Sequence, residues 1–334
     1  MRGNFKGALD PLEIDRHLKT FQVGLTETHM LWLDFFLDKS VPTDVQAAIC
    51  RGLSEWKHNV ARQCDKRFIY FLASRPKLRF STRRQPRYSY WRDRFVFWVE
   101  VGGAARLRKV EIPAPFRAEG SRERVRVPAS TTEKLITFHF SGHHSVSFPI
   151  HDFMLRFNAS TGMDSTVHYI GCTKNPDSRV LNLQHHGFTR MLHEVSSGER
   201  DFLLFQHLFK PVVVAKYPKH GLNVVAANSE LDLADIGSEG RLIEKALIAY
   251  FEPSTQLASV RSARSEVRNL MAGHCIEAMT LGIEYDRPTE YYRYAGTAAL
   301  AHDRVGGVYK IENGELSLVR DPDLDVSSVT LEPA

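Results

Sequence analysis

The apolar positions of the first seventy residues recur at helical spacing, with Met30, Leu33, Phe36 and Leu37 on one side of the repeat. Pro42 and Thr43 interrupt the pattern, so residues 12–73 predict at least two helices. From residue 77 to 148 the rhythm changes. Short runs such as Phe95-Val96-Phe97-Trp98-Val99 and Ile136-Thr137-Phe138-His139-Phe140 alternate with glycine and proline turns and predict a small β-rich unit. Further on, an apolar strand ends in Tyr169-Ile170-Gly171. The following Asn175-Pro176-Asp177 supplies a cap, a first-position proline and an acid suited to a positive helix end. A helix starting there carries Arg179 in its first turn. Residues 240–253, GRLIEKALIAYFEP, are good helix formers stopped by Pro253. The last segment opens with an amphipathic helix around residues 267–281 and ends in an acidic tail from Asp321. Gly307-Val308-Tyr309-Lys310-Ile311 followed by Asn313-Gly314 reads as a β-hairpin.

The expected class is α+β, a small sheet with packed helices preceded by a helical and β-rich region. Three parts are expected: a basic N-terminal region over 1–148, a central domain over 149–258 and an accessory region over 259–334. With 334 residues, 43% of them hydrophobic, the chain can bury two or three modest cores and is not a disordered polymer. No stretch approaches the ~18 apolar residues of a membrane span, and the N-terminus has no signal-like apolar segment. Four scattered cysteines, with no CxxC pair, argue against a disulfide scaffold or thiolate zinc site and suit a reducing cytoplasm.

The net charge of +5 decides little, but its distribution matters. Fifteen Lys or Arg lie between Arg75 and Arg126 against five acids. Arg83, Arg84, Arg87 and Arg92, interleaved with Tyr88, Tyr90 and Trp91, have the make-up of a phosphate-binding surface with stacking side chains. A solvated strand face with an arginine loop is the plainer reading of the same run.

On the helix over 240–253, with Leu242 at zero, Glu244 falls at about 200°, between Phe251 and Ile248. A carboxylate inside an apolar arc needs a partner or a cation. Tyr169-Ile170-Gly171, Thr173, Arg179 and the Glu244 helix together resemble the GIY-YIG nuclease superfamily over about a third of the chain. That resemblance implies a metal-dependent endonuclease acting on nucleic acid, DNA ahead of RNA, in a restriction, mobile-element or anti-phage setting. It implies that Glu244 holds Mg2+ or Mn2+, that Arg179 contacts the scissile phosphate with help from Lys174, and that Tyr169 lies beside the attacking water.

Two positions depart from the pattern. The glycine-isoleucine-tyrosine half should precede Tyr169 by about a dozen residues, yet Phe153-Met154-Leu155-Arg156-Phe157 has no tyrosine. His168 or His151 are candidate replacement bases, each also explained as a structural histidine. Gln256 stands where an asparagine is usual. His185 or His186, past Arg179, are candidates to touch the phosphate or water. With His139, His143 and His144 they match no zinc-ligand spacing. The competing reading is a catalytically lapsed domain that binds nucleic acid or assembles with itself or a protein partner; an RNA-directed nuclease or toxin is a third.

Overall fold

The computed structural model describes residues 3–4, 19–34, 43–63, 67–89, 91, 93–117, 124–141, 144–177, 186–195, 198–217 and 221–324. The first two long strands are β1 (Lys19–Trp32) and β2 (Phe68–Pro76), with helix α1 (Thr43–Gln63) between them. Among the described residues of the predicted helical span 12–73, α1 is helical, while Lys19–Trp32 and Phe68–Pro76 are strands. In β1 the apolar residues Phe21 and Val23 alternate with Gln22, a period of two that buries one face against a neighbour. Tertiary burial overrides the helical spacing read from Met30 and Leu33.

Residues 77–164 interrupt the main sheet. They hold β3 (Leu78–Phe80), β4 (Arg87–Tyr88), β5 (Arg94–Val101), β6 (Arg106–Pro113), β7 (Phe116–Arg117), β8 (Arg124–Val125), β9 (Ala129–Thr131), β10 (Leu135–His139), β11 (Ser145–Pro149) and helix α2 (Ile150–Arg156). This is the expected β-rich unit. Phe95, Phe97, Phe138 and Phe153 form its aromatic interior, with ring centroids 5.3–6.5 Å apart.

The chain then returns to the main sheet through β12 (Ser165–Thr173), α3 (His186–Glu194), β13 (Arg200–Tyr217), β14 (Leu222–Ala227), α4 (Asn228–Leu231), α5 (Ile236–Phe251) and, after a 3-10 turn over Ser254–Ser259, α6 (Val260–Gly273). It closes with β15 (Ala278–Ile283), β16 (Tyr294–Ala295), β17 (Val305–Glu312) and β18 (Glu315–Arg320). Where the sequence predicts helix over 267–281, the helix ends at Gly273 and Ala278–Ile283 is a buried strand. The predicted hairpin forms: Asn313 and Gly314 both take positive φ, 51° and 79°, between β17 and β18.

Nine strands make one curled mixed sheet in the order β16-β12-β2-β13-β1-β15-β17-β18, with β14 also paired to β13. All pairings are antiparallel except β1 with β15 and β12 with β16. The sheet therefore draws strands from before residue 148, from 149–258 and from beyond 259. One face carries Ile69, Phe71 and Ile170 in a core shared with Leu242, Ala246 and Leu247 of α5. The opposite face carries Tyr70, Leu72, Phe202 and Leu204 against Phe188 and Met191 of α3. Among the described residues, no helix is long and apolar enough to cross a membrane.

The inserted unit is fastened to the sheet by buried ions. Arg75, fully buried on β2, donates to Glu290 Oε1 at 2.6 Å, and Glu290 also accepts from Ser160, Thr161 and Gly162. Asp201 accepts from Arg79 and the Leu78 N–H and meets His151 at 2.9 Å. Each carboxylate is saturated with donors, which is what keeps a buried charge tolerable.

Candidate active site

Strands β12, β2 and β13 lie side by side, all antiparallel, with β2 in the middle. Gly171 of β12 pairs with Tyr70 of β2, and Tyr169 pairs with Leu72. Tyr70 and Tyr169 point to the same face, and their rings stack with centroids 6.0 Å apart and planes 26° from parallel. Two glycines make room for them. A Cβ on Gly171 would collide with the Tyr70 phenol, and a Cβ on Gly187, at the start of α3, would lie within 2.8 Å of the Tyr169 ring. The glycine of Tyr169-Ile170-Gly171 thus makes room for a second tyrosine. Tyr70 is buried and Tyr169 half-buried.

Sequence spacing alone does not single out Tyr70. Its own segment, Phe68-Ile69-Tyr70, spells two residues of the expected first half-motif. The residues of 77–164 separate it from β12, so a search a dozen residues upstream does not reach it.

His168 occupies a β-bulge between Val167 and Tyr169. Its Nε2 meets Ser74 Oγ at 2.7 Å and its Nδ1 meets Ser254 Oγ at 2.9 Å. Burial, with the nearby Arg200 guanidinium, pushes its pKa down to about 4. With both nitrogens engaged, this imidazole is a neutral structural connector and not a free base. His151 is likewise consumed, between Asp201 and the Tyr291 hydroxyl, each at 2.9 Å. Lys174 stands exposed just past β12. Asn175-Pro176-Asp177 form a turn, tied by Asn175 N to Thr173 Oγ1 at 3.0 Å and by Gln206 Nε2 to Pro176 O at 2.8 Å. Arg179 and His185 lie outside the described residues, as does the side chain of His186.

Helix α5 packs on the other face. Asp235 caps it by accepting from Gly237 N and Ser238 N, and Glu252 ends it in the left-handed region at φ 49°. A Cβ on Gly240 would meet Cys172 Sγ at 3.1 Å, so the helix starts tight against β12. Glu244 lies one turn further along the same side. Its carboxylate is 17% accessible and 3.5 Å from Lys245 Nζ, which also faces Glu266 of α6 at 3.9 Å. Burial pushes the Glu244 carboxyl up, against the pull of Lys245. The structure therefore joins Glu244 to Lys245 and Glu266, while the two phenols project from the opposite face of the sheet. Among the described residues no three His, Cys, Asp or Glu side chains cluster to hold a metal.

Beyond α5 the chain binds the exposed edge of β12. Gln256 accepts from Ile170 N at 2.7 Å and donates to Ile170 O at 2.9 Å, and Thr255 Oγ1 donates to His168 O at 2.6 Å. The amide after the glutamate helix thus acts as a peptide mimic, which holds Tyr169 from its backbone.

The basic residues divide. Arg83, Arg84 and Arg87 are exposed, and the last two lie over Trp98 at 5.7 and 5.3 Å. Trp91 is 88% exposed. Tyr88 is committed to packing: its hydroxyl exchanges hydrogen bonds with Val127 N and O at 2.9 and 3.0 Å, and its ring meets Phe95. Tyr90 and Arg92 lie outside the described residues. Arg75 and Arg79 serve the buried ion network, so the count of positive charge overstates the free surface.

Compared with known proteins, the chain matches no family model, no curated protein and no solved structure.

Proposed function

We propose that the chain is a GIY-YIG-type endonuclease that hydrolyses nucleic-acid phosphodiesters, DNA ahead of RNA. The observation that carries this reading is the stacked pair Tyr70 and Tyr169 on adjacent antiparallel strands, each backed by a glycine, in a β12-β2-β13 order followed by the Glu244 helix. In this reading Tyr70 is the phenol absent from its usual place. Tyr169, the more accessible of the two, orients the attacking water. A free phenol titrates near 10, so it accepts the water proton only with cationic help. Arg179 offers the scissile phosphate paired donors, and Lys174 adds charge at the end of β12.

A hard divalent ion such as Mg2+ or Mn2+ suits Glu244, an oxygen ligand whose burial favours pairing with a cation. Lys245 lies between Glu244 and Glu266, and Arg241 also pairs with Glu266, so a divalent ion on Glu244 would take the place of a cation already there. Held there, such an ion would supply charge neutralisation at the phosphate. The exposed Arg83, Arg84 and Arg87 grip substrate outside the site.

The second reading, a lapsed module that binds without cutting, is favoured by one feature: Glu244 and the phenols lie on opposite sides of the sheet. Cleavage of supercoiled plasmid, linear duplex and single-stranded RNA with Mg2+ decides between them. Wild type should cut DNA, Glu244→Ala and Arg179→Ala should lose at least a hundredfold, and Tyr70→Phe or Tyr169→Phe about tenfold or more. Duplex binding without cleavage by any form would establish the lapsed module.

A further inference from the structure

Three strands away from the tyrosine pair, the sheet carries a row of bare backbone. Gly24 of β1 pairs with Gly282 of β15, and Gly282 pairs with Gly306 of β17. Lys210 of β13 pairs with Gly24 from the other side. Residues in register point to one face. That face therefore presents a lysine followed by three positions without side chains.

Glycine weakens a strand interior and marks close approach of a backbone or a ligand. At Gly306 the approaching group is the chain itself: a Cβ there would collide with the Asp321 carbonyl and lie 2.8 Å from Leu324 Cβ. Gly24 has no such neighbour, since a Cβ on it would meet nothing within 4 Å. Beyond this pair the parallel strands part, because β15 ends at Ile283 while β1 runs on to Trp32. The result is a cleft of about 340 Å³ in which Gly24 and Gly282 lie beside Leu25, Val212 and Val305. Its volume falls in the range of small-molecule sites.

The polar groups of this cleft ask for a ligand of one kind. Gln22 also lines the cleft, 9% exposed, with its Nε2 buried. Lys210 and Arg304 are exposed cations, with Arg304 held by Glu284 at 2.7 Å. We infer that the cleft binds a mononucleotide, with its flat ring on the glycine floor and its phosphate on Lys210 and Arg304. Apolar walls suit the base, and two cations suit a phosphate. The inference stands apart from the nuclease reading.

Calorimetric titration of the full chain with AMP, UMP, adenosine and inorganic phosphate tests it. At least one of AMP and UMP should bind, with adenosine and inorganic phosphate at least tenfold weaker. Gly24→Val fills open space with a residue that suits a strand, so the fold should persist while nucleotide affinity falls at least tenfold; Lys210→Met should do the same. Unchanged melting of the ligand-free variants would show that folding is intact. Absence of binding by either nucleotide, equal affinity of Gly24→Val and wild type, or adenosine binding as tightly as AMP would overturn the proposal. Binding that appears only after deletion of residues 325–334 would overturn it too, by assigning the cleft to the chain's own end.

Discussion

Buried titratable side chains give this protein a defined response to acid. The pKa values of His168 and His207 are both depressed by burial, to about 4 and about 3 from the ordinary 6.5. An imidazole less basic in the folded state is protonated first in the unfolded chain. The stability it contributes is complete above the unfolded pKa and is lost as pH falls towards the folded value. By pH 5 each histidine should have lost on the order of 2 kcal/mol. Asp34, Asp152 and Glu244 carry raised carboxyls and act in the opposite sense, so the comparison needs a variant. Urea unfolding at pH 7 and pH 5 should show wild type losing more stability on acidification than His207→Gln. An equal loss in both would remove His207 from this account. The same residues set the limit of what could be read in advance. Tyr169 and Glu244 stand out from their neighbours alone, but whether His168 is a base or a connector depends on Ser74 and Ser254, which arrive from other elements.

At the level of elements, the main dependence is that of β12 on the turn after α5. β16 covers β12 at Ser165 and Thr166, and further along the edge Gln256 and Thr255 hold the strand. Gln256→Ala removes two buried hydrogen bonds and leaves the Ile170 N–H and C=O unsatisfied, a loss of about 2–4 kcal/mol in total. Amide exchange at Ile170 should quicken markedly in that variant while the β2–β13 ladder keeps its protection; unchanged exchange at Ile170 would mean that another group holds the edge. Helix α5 and the Asn313-Gly314 hairpin were legible because caps, stops and turn residues act within a few positions. Strand β1 was not, because its alternation competes with a helical spacing over the same residues, and only neighbours far along the chain decide between them.

For the whole molecule, the inserted unit places Arg84 and Arg87 on the surface, braced over Trp98, while two other arginines of the same basic run are spent inside. If this face grips duplex, the double variant Arg84→Ala/Arg87→Ala should weaken binding uniformly across sequences. It should also reduce the slope of log affinity against log salt by about two. A slope equal to that of wild type would show that this face does not meet phosphates. The ion clusters around Glu290 and Asp201 fix this unit to the sheet, and their members come from regions more than a hundred residues apart in several pairs.

By itself the amino-acid sequence determined the mixed α+β class, the β-rich run after residue 77, the Tyr169-Ile170-Gly171 strand and the helix bearing Glu244, all set by local periodicity, capping and turn chemistry. Only the tertiary structure decided that Tyr70 stacks on Tyr169, that one sheet draws on the chain from Lys19 to Arg320, and that Gly24, Gly282 and Gly306 form a row. Strand pairing carries no sequence-distance limit, so which residues meet across a sheet is settled by burial and register over the whole molecule and not by any single segment.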